Sequence, residues 1–372
     1  MSTARLQVNL DALAQNFHRL RQRGAQSLPA DCVAAVVKAN GYGLGMHTVA
    51  RRLYQEGCRR FFVASATEGG QLRGLLPDVH IYVLAGAARQ TLGDLVAQRL
   101  TPVLNTLQQC ELWSTTPQAG PAALHIDTGM HRLGLSWEDD LSQLPALQLD
   151  LLMTHFARAD EGRDTLRSLQ TQRFADSVAA LRDGHPDVLV SLNNSAAVLM
   201  DQVTPESLLD ASDGPRLDRL GIGLYGVNPH TEREGATAKQ ALATVATLEG
   251  QVLQVRHVKA GATVGYGSTY CVRAPGRLVT IGAGYADGVP RLLSNQGHVF
   301  FRGRRLPMVG RISMDSLVVE LTDETASACD IDEGDWVEIF GPNLPVEEVA
   351  QQAQTIAYEV FTGLGSRLQR LS

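Results

Sequence analysis

The sequence predicts an α/β chain, with an N-terminal (β/α)8 barrel of the TIM type followed by a mostly antiparallel β domain. Three observations carry this: eight short, β-rich apolar runs between Cys32 and Gly226, helix-like stretches between them, and a change of rhythm after about Pro229. The runs are Val33–Val37, Phe61–Ala64, Ile81–Leu84, Thr101–Leu104, Ala122–Ile126, Leu151–Thr154, Val188–Leu192 and Leu220–Tyr225. Their apolar residues are mostly continuous, as strands covered on both faces require. Helical spacing fills the gaps at His47–Gln55, Gln90–Gln98 and the long Thr165–Leu181. An open doubly wound sheet is the competing arrangement. The count of eight, and the lack of a glycine fingerprint after the first run, favour a closed barrel.

After Pro229 the segments Thr244–Val258, Leu278–Ile281, His298–Phe301, Ser316–Leu321 and Trp336–Phe340 are β-rich and divided by short turn clusters such as Asp332-Glu333-Gly334-Asp335. Period-2 stretches joined by short turns imply antiparallel pairing. Val346–Gln354 has helical character, and the polar stretch Asn228–Gly235 is the expected linker. The expected domains are therefore residues 1–232 and 233–372, the first few residues being free to pair with the second domain.

A chain of 372 residues with 44% hydrophobic residues can bury two cores. A formal charge of −6 argues against a nucleic-acid footprint, and no run approaches the ~18 apolar residues of a membrane span. The first residues show no basic-then-apolar signal pattern. Cys32, Cys58, Cys110, Cys271 and Cys329 are odd in number and widely spaced, so they read as reduced thiols in a cytoplasmic protein.

In a barrel of this kind the reactive groups belong at the ends of the strands. Lys38 ends the first run, Arg132 follows the fifth, His155 ends the sixth, Asn194 and Ser195 end the seventh, and Arg219 precedes Gly221 in the eighth. A lysine closing an apolar strand is either a snorkelling rim residue or an amine poised to form an imine with a carbonyl. Asn194-Ser195-Ala196-Ala197 has the form of a helix start, and Gly221-Ile222-Gly223 lets a ligand approach the backbone. Barrels often hold phosphate on such backbone N–H groups between their last loops. A lysine, a phosphate cradle and two arginines on one rim suggest a phosphorylated aldehyde cofactor. His125, Asp127 and His131 resemble half a metal site, but one strand-to-loop segment cannot readily converge all three, and no metal is expected. Asp139-Asp140 and Glu347-Glu348 read as solvated faces, and Asp287, Asp315 and Arg291 as residues that shape an interface.

Nine motifs occur in order along the chain: VVKANGYGLG, HIDTGMHRLGL, MTHFARAD, NNSAA, RLGIGLYG, TVGYGSTY, IGAGYADGVPR, VGRISMD and TIAYEV. With them the whole length resembles the alanine racemases, isomerases that use pyridoxal 5'-phosphate. The resemblance implies that Lys38 takes the cofactor's aldehyde and acts as one base. Tyr266 would be the opposite base, supplied by the second domain of a partner chain in a homodimer. It further implies that Tyr42, Ser195, Gly221, Ile222 and Tyr358 hold the phosphate. Asn194 and His155 would border the cofactor, and Arg219 would face its ring nitrogen. Arg132 would meet its phenolic oxygen and the substrate carboxylate. Met314 would bind that carboxylate through its N–H, and Tyr285 would line substrate access. D-Alanine for peptidoglycan precursors is the implied product.

Two bases flanking one planar carbon are what inversion at Cα requires. A tyrosine base needs cationic neighbours, for which His155 and Arg219 are the candidates. An arginine facing the ring nitrogen keeps its own proton, which weakens the electron sink and suits racemisation better than transamination. Racemases of serine or lysine, a metal-dependent D-threonine-type aldolase and a non-catalytic pyridoxal-phosphate binder are the alternatives. The second domain bearing Tyr266 argues against the last.

The chain departs from the family pattern in four places. His125 stands where a carbamylated lysine is usual, so a bound anion such as chloride, or a direct His125–Arg132 contact, is expected. Ser191 replaces a usual histidine and Ser313 a usual cysteine, and the common Arg-x-Tyr ending is missing.

Overall fold

The structure is a computed structural model that describes the chain apart from residues 1, 24–25, 162–164, 201–214, 231–241 and 323–329. Strands Val33–Val36, Arg60–Val63, His80–Val83, Thr101–Leu104, Ala122–Asp127, Leu149–Met153 and Leu189–Ser191 pair in parallel in chain order, and Asp218–Leu220 returns to pair with the first. A parallel bridge from Val190 to Arg216 brings the last strand to the seventh, so the barrel is nearly closed. Alternate residues serve two cores. Ala34, Phe62, Tyr82, Val103, Ala123, Leu151, Met153 and Leu217 fill the barrel, while Ala35, Phe61, Val63, Ile81, Leu124 and Leu152 pack outward against helices. Both faces are dry, which is why the runs read as continuous. Each large apolar side chain so buried contributes about 1.5–3 kcal/mol.

The N-terminal end of the barrel is stoppered by a polar cluster. The Tyr82 ring stacks on Phe62 at 4.6 Å. Its hydroxyl donates to the Asp150 carboxylate and accepts from Arg60 Nη1 at 2.7 Å. Arg60 and Asp150 are themselves 3.6 Å apart, so these half-buried charges are paired.

The eighth run departs from its expected form. Only Asp218–Leu220 is strand, and Ile222–Tyr225 is a 3-10 turn. Gly221, at φ −114 and ψ −109, leaves the sheet, and the Ser195 hydroxyl accepts the N–H groups of Gly221 and Gly223, which would otherwise serve a ladder. The other runs agree to within two residues, and the anticipated helices form at Met46–Gln55, Leu92–Ala97 and Thr165–Arg182.

In the second domain the long strand Ala246–Val258 pairs antiparallel with Trp336–Phe340 and Gly276–Ile281, and Gly276–Ile281 pairs in turn with Leu317–Thr322. The chain's first strand, Ala4–Val8, lies antiparallel on Ala246–Val258 with Leu6 opposite Leu248, and its last strand, Gln369–Leu371, lies parallel beside it. The first strand leads into helix Leu10–Leu20, whose start is capped by Asn9 accepting the Ala12 N–H. Buried Asn16 then joins the two cores: its Nδ2 donates to Leu224 O and Ala243 O, and its Oδ1 accepts the Ala243 N–H. Helix Val346–Gln352 is followed by a second, Ala357–Thr362, which the sequence pattern did not mark.

Of the expected linker, Asn228 to His230 are described, and the boundary at 232/233 lies outside the described residues. The Asn228 N–H donates to Glu347, whose carboxyl burial pushes above the usual range, while Glu348 pairs with Arg305. Glu347-Glu348 is therefore no solvated face. Cys32, Cys58, Cys110 and Cys271 are free thiols, and Cys329 lies outside the described residues. Among the described residues no helix is long and apolar enough to cross a membrane.

Candidate active site

At the C-terminal mouth of the barrel a cavity of about 690 Å³ gathers Lys38, Tyr42, Arg132, His155, Asn194, Ser195, Arg219, Gly221, Ile222 and Tyr358. These come from five strand ends and from helix Ala357–Thr362, which brings Tyr358 over the rim. The expected residues Tyr266, Tyr285 and Met314 do not line it.

Lys38 lies one residue beyond strand Val33–Val36, and the backbone after it is wound left-handed: Ala39, Asn40, Gly41 and Tyr42 have φ of 52, 55, 63 and 54. Each of the three non-glycine residues costs about 1–2 kcal/mol there. Bonds from outside the turn hold it. Glu68 accepts the Ala39 N–H at 2.7 Å, Asn40 Oδ1 accepts the Met46 N–H, and Arg370 donates twice to Gly43 O. Gly43, at φ 82, is required by contact as well as by torsion, because a Cβ would lie 2.1 Å from Phe361 O. The turn is thus no simple tight loop entering a helix. Lys38 itself makes no hydrogen bond or ion pair among the described residues. Burial and the Arg132 guanidinium lower its pKa, which favours the free amine.

Asn194 caps the short helix Ser195–Leu199 by accepting the Ala197 N–H, which leaves the Ser195 hydroxyl to face Gly221 and Gly223 across the cavity. Gly221 is needed for close approach, since a Cβ there would meet Tyr42 Oη at 2.7 Å. Tyr42 packs on Tyr225 at 4.7 Å and on Tyr358 at 6.1 Å. Burial pushes the Tyr358 hydroxyl up to about 12 and raises that of Tyr42 further, so both phenols stay protonated donors. Neither hydroxyl has an acceptor among the described residues.

Arg219 is 4% exposed, and both of its terminal nitrogens are engaged. Nη1 donates to Ser191 O at 3.0 Å and Ser191 Oγ at 2.5 Å, and Nη2 donates to Thr154 O at 2.6 Å and His155 Nδ1 at 3.3 Å. Ser191 thus supplies a support of its own where a histidine was expected from the family. Burial lowers the Arg219 pKa to about 10, still well above neutrality. His155 is pushed down to about 3 by burial and by Arg219. It is a neutral acceptor and gives no positive charge to a tyrosine base, so of the two candidates only Arg219 remains.

His125 likewise differs from expectation. Burial and Arg219 lower its pKa to about 4. Asn105 spends both Nδ2 protons on Leu84 O and Val103 O, so its Oδ1 accepts from His125 Nδ1 at 3.0 Å, and Nε2 keeps its lone pair. No hydrogen bond joins His125 to Arg132, so the direct contact is not made. Arg132 is exposed at the cavity wall with no hydrogen bond or ion pair among the described residues, a cation awaiting an anion. Asp127 accepts three backbone N–H groups, from Gly129, Met130 and His131, and shapes a turn; His131 points to solvent.

The remaining residues sit on the second domain. Tyr266 is 73% exposed on a turn with Gly265 and Gly267 at φ 69 and 73. Tyr285 and Met314 are 43% and 52% exposed on adjoining loops, which bond through Tyr285 N to Ser313 O and Ala286 N to Met314 O. Asp287 and Asp315, below them, both bind Arg367.

Comparison with known proteins gives one answer along the whole chain. Residues 8–229 match the family described as "Alanine racemase, N-terminal domain", and residues 245–372 match "Alanine racemase, C-terminal domain". An alanine racemase of Rhodospirillum rubrum is 38% identical, the match covering 99% of this chain and 96% of that protein. One of Brucella abortus is 36% identical, over 98% and 92%. Among solved structures, alanine racemase from Bartonella henselae with covalently bound pyridoxal phosphate superposes with a TM-score of 0.86 at 37% identity, covering 100% of this chain and 99% of that one. That from E. faecalis gives 0.85 at 27%, covering 100% and 98%. The barrel with its cationic mouth, the second β domain and these full-length matches agree: the chain belongs to the alanine racemase family.

Proposed function

We propose that this chain is a cytoplasmic, homodimeric alanine racemase that uses pyridoxal phosphate, with Lys38 of one subunit and Tyr266 of the other as opposed bases. One observation carries the reading. A lysine of lowered pKa and an arginine, both unpaired among the described residues, share a cavity with two phenols, Tyr42 buried and Tyr358 at the rim, that remain donors without acceptors there. Such a donor set fits a phosphate-bearing aldehyde, with Tyr42, Ser195, Gly221, Ile222 and Tyr358 at the phosphate end and Lys38 at the aldehyde. Bound there, the cofactor supplies the electron sink that acidifies the substrate's Cα–H.

The chain's residues do the rest. The lowered pKa of Lys38 makes Nζ readier to give up a proton and act as a base. Arg219, its plane fixed by Ser191 and Thr154, would face the ring nitrogen of a bound cofactor while keeping its own protons. Arg132 meets the substrate carboxylate, helped by the Met314 N–H of the second subunit. Tyr266, exposed and outside its own chain's cavity, reaches the opposite face in a partner's site, and the exposed Tyr285 frames access. D-Alanine formed in this way supplies peptidoglycan precursors.

The test is incubation of L-alanine with protein and cofactor in deuterium oxide. Deuterium at Cα with loss of optical rotation is expected. Pyruvate without label, or turnover that depends on a divalent cation, would refute the proposal.

A further inference from the structure

Two arginines three residues apart near the chain's end make contacts that the reading above leaves unused. Arg370, half-buried beside the strand Ala4–Val8, has backbone carbonyls as its hydrogen-bond acceptors. Nε and Nη2 donate to Gly43 O at 3.2 and 3.1 Å, and Nη1 donates to Gly365 O at 3.3 Å. Gly43 closes the left-handed turn that carries Lys38. Arg367 faces the other way. Nε and Nη2 make a two-pronged contact with the Asp287 carboxylate at 2.7 and 2.8 Å, Nη1 donates to Asp315 at 2.7 Å, and Nη2 lies 3.4 Å from Met314 O. Asp287 Oδ2 in turn accepts the Gly284 N–H, and the Gly365 N–H donates to Asp287 O, so the loop bearing Tyr285 is clasped from both sides.

We infer that residues 365–370 form a positioning strap, in which Arg370 fixes the Lys38 turn of the chain's own cavity while Arg367 fixes the Tyr285 and Met314 loops. Calling both loops parts of active sites rests on the function proposed above. The physical need differs at the two ends. A turn with three non-glycine residues at positive φ persists only when its surroundings hold it, and a fork to one carbonyl is such a hold. The second pair of loops is exposed, and a guanidinium spanning two carboxylates fixes their spacing with charge-assisted bonds. In a homodimer whose second domain serves the neighbouring site, one six-residue segment would then set geometry in two sites at once.

The experiment compares Arg370→Ala, Arg370→Lys and Arg367→Ala with the parent holoenzyme by residue-resolved amide hydrogen exchange, cofactor dissociation constant and steady-state kinetics. In Arg370→Ala the amides of Gly41, Gly43, Leu44 and Gly45 are expected to exchange roughly tenfold faster or more, and the cofactor to bind more weakly. The amides of Tyr285, Ala286 and Asp287 should stay as in the parent. Arg370→Lys keeps one donor and should restore part of the protection. Arg367→Ala should invert the pattern, with KM for L-alanine rising more than kcat falls. Unchanged exchange in both loops, or faster exchange throughout the sheet with a lowered melting midpoint, would overturn the strap. Exchange that moves as stated in a protein showing no racemisation would leave the strap standing and overturn the function.

Discussion

In the function proposed above, the barrel mouth and the exposed edge of the second domain are the two halves of one chemistry, and they are built on opposite principles. Around Lys38 the framework is fixed: both terminal nitrogens of Arg219 have acceptors, His125 is buried and His155 half-buried, both neutral, and the backbone is wound into a high-energy turn held from outside. Around Tyr266 the side chains of Tyr266, Tyr285 and Met314 are exposed, and only the backbone beneath them is organised. A pocket complete in charge but open on one side, beside a lip complete in shape but facing solvent, is the form expected of a site finished by a symmetric neighbour. Pre-organisation is built in where charge must be desolvated, and left to assembly where an aromatic ring only has to close the remaining face.

Removing the amine tests the first half hardest. Lys38→Ala should lower α-proton exchange roughly a thousandfold or more, measured as deuterium uptake into either enantiomer. Tyr266→Phe should cost roughly a hundred- to ten-thousandfold while leaving cofactor absorbance unchanged, because the phenol lies outside the cavity of its own chain. Mixing the two inactive variants separates the halves. Half of randomly paired dimers are mixed and each has one intact site of two, so about a quarter of the activity should return (½ × ½). No recovery in a verified mixed dimer would place both bases in one chain and break the comparison.

Smaller effects sharpen it. Ser191→Ala takes a charge-assisted bond from buried Arg219 and should lower stability by about 1.5–3 kcal/mol in denaturant unfolding. The histidines add a pH signature whose sign is fixed by their lowered pKa values. His125 at about 4 and His155 at about 3 bind fewer protons folded than unfolded, where the imidazole pKa is about 6.5. Stability is therefore full above about pH 6.5 and falls as pH drops toward the folded values, with up to about 1.4 kcal/mol lost per pH unit for each group. Unfolding free energies that stay level between pH 7 and pH 4.5 would show that these rings are charged in the fold. The smallest expected effect is none: His125 carries no carbamate, so bicarbonate should leave turnover unchanged, and an increase would point to another carbamylated group.

The sequence exposed most of the barrel because its strands are dry on both faces, and seven runs reappear with their ends moved by no more than two residues. It misled at residues 220–225, where Gly221, Ile222, Gly223 and Leu224 look like a strand but turn so that Ser195 can take two N–H groups. Composition reports hydrophobicity, and this segment is hydrophobic because it lines the closing turn. The ten rim residues around the cavity were legible, the resemblance supplying those the strand ends did not. The left-handed turn was hidden, since Ala39, Asn40 and Tyr42 are ordinary residues in an unordinary backbone. Helix Ala357–Thr362 was hidden by its brevity, and the neutrality of His155 by the depth of a pocket that no local pattern records. Arg367 and Arg370 drew no notice because their partners lie 80 and 327 positions away.

The stacked Phe62 and Tyr82, with the paired Arg60 and Asp150, floor the end of the barrel opposite its mouth. With that floor in place, whatever covers the mouth governs how dry the interior becomes. Any attempt to admit a bulkier amino acid must widen the doorway or the roof, because carving downward would strand a paired arginine and aspartate without their tyrosine.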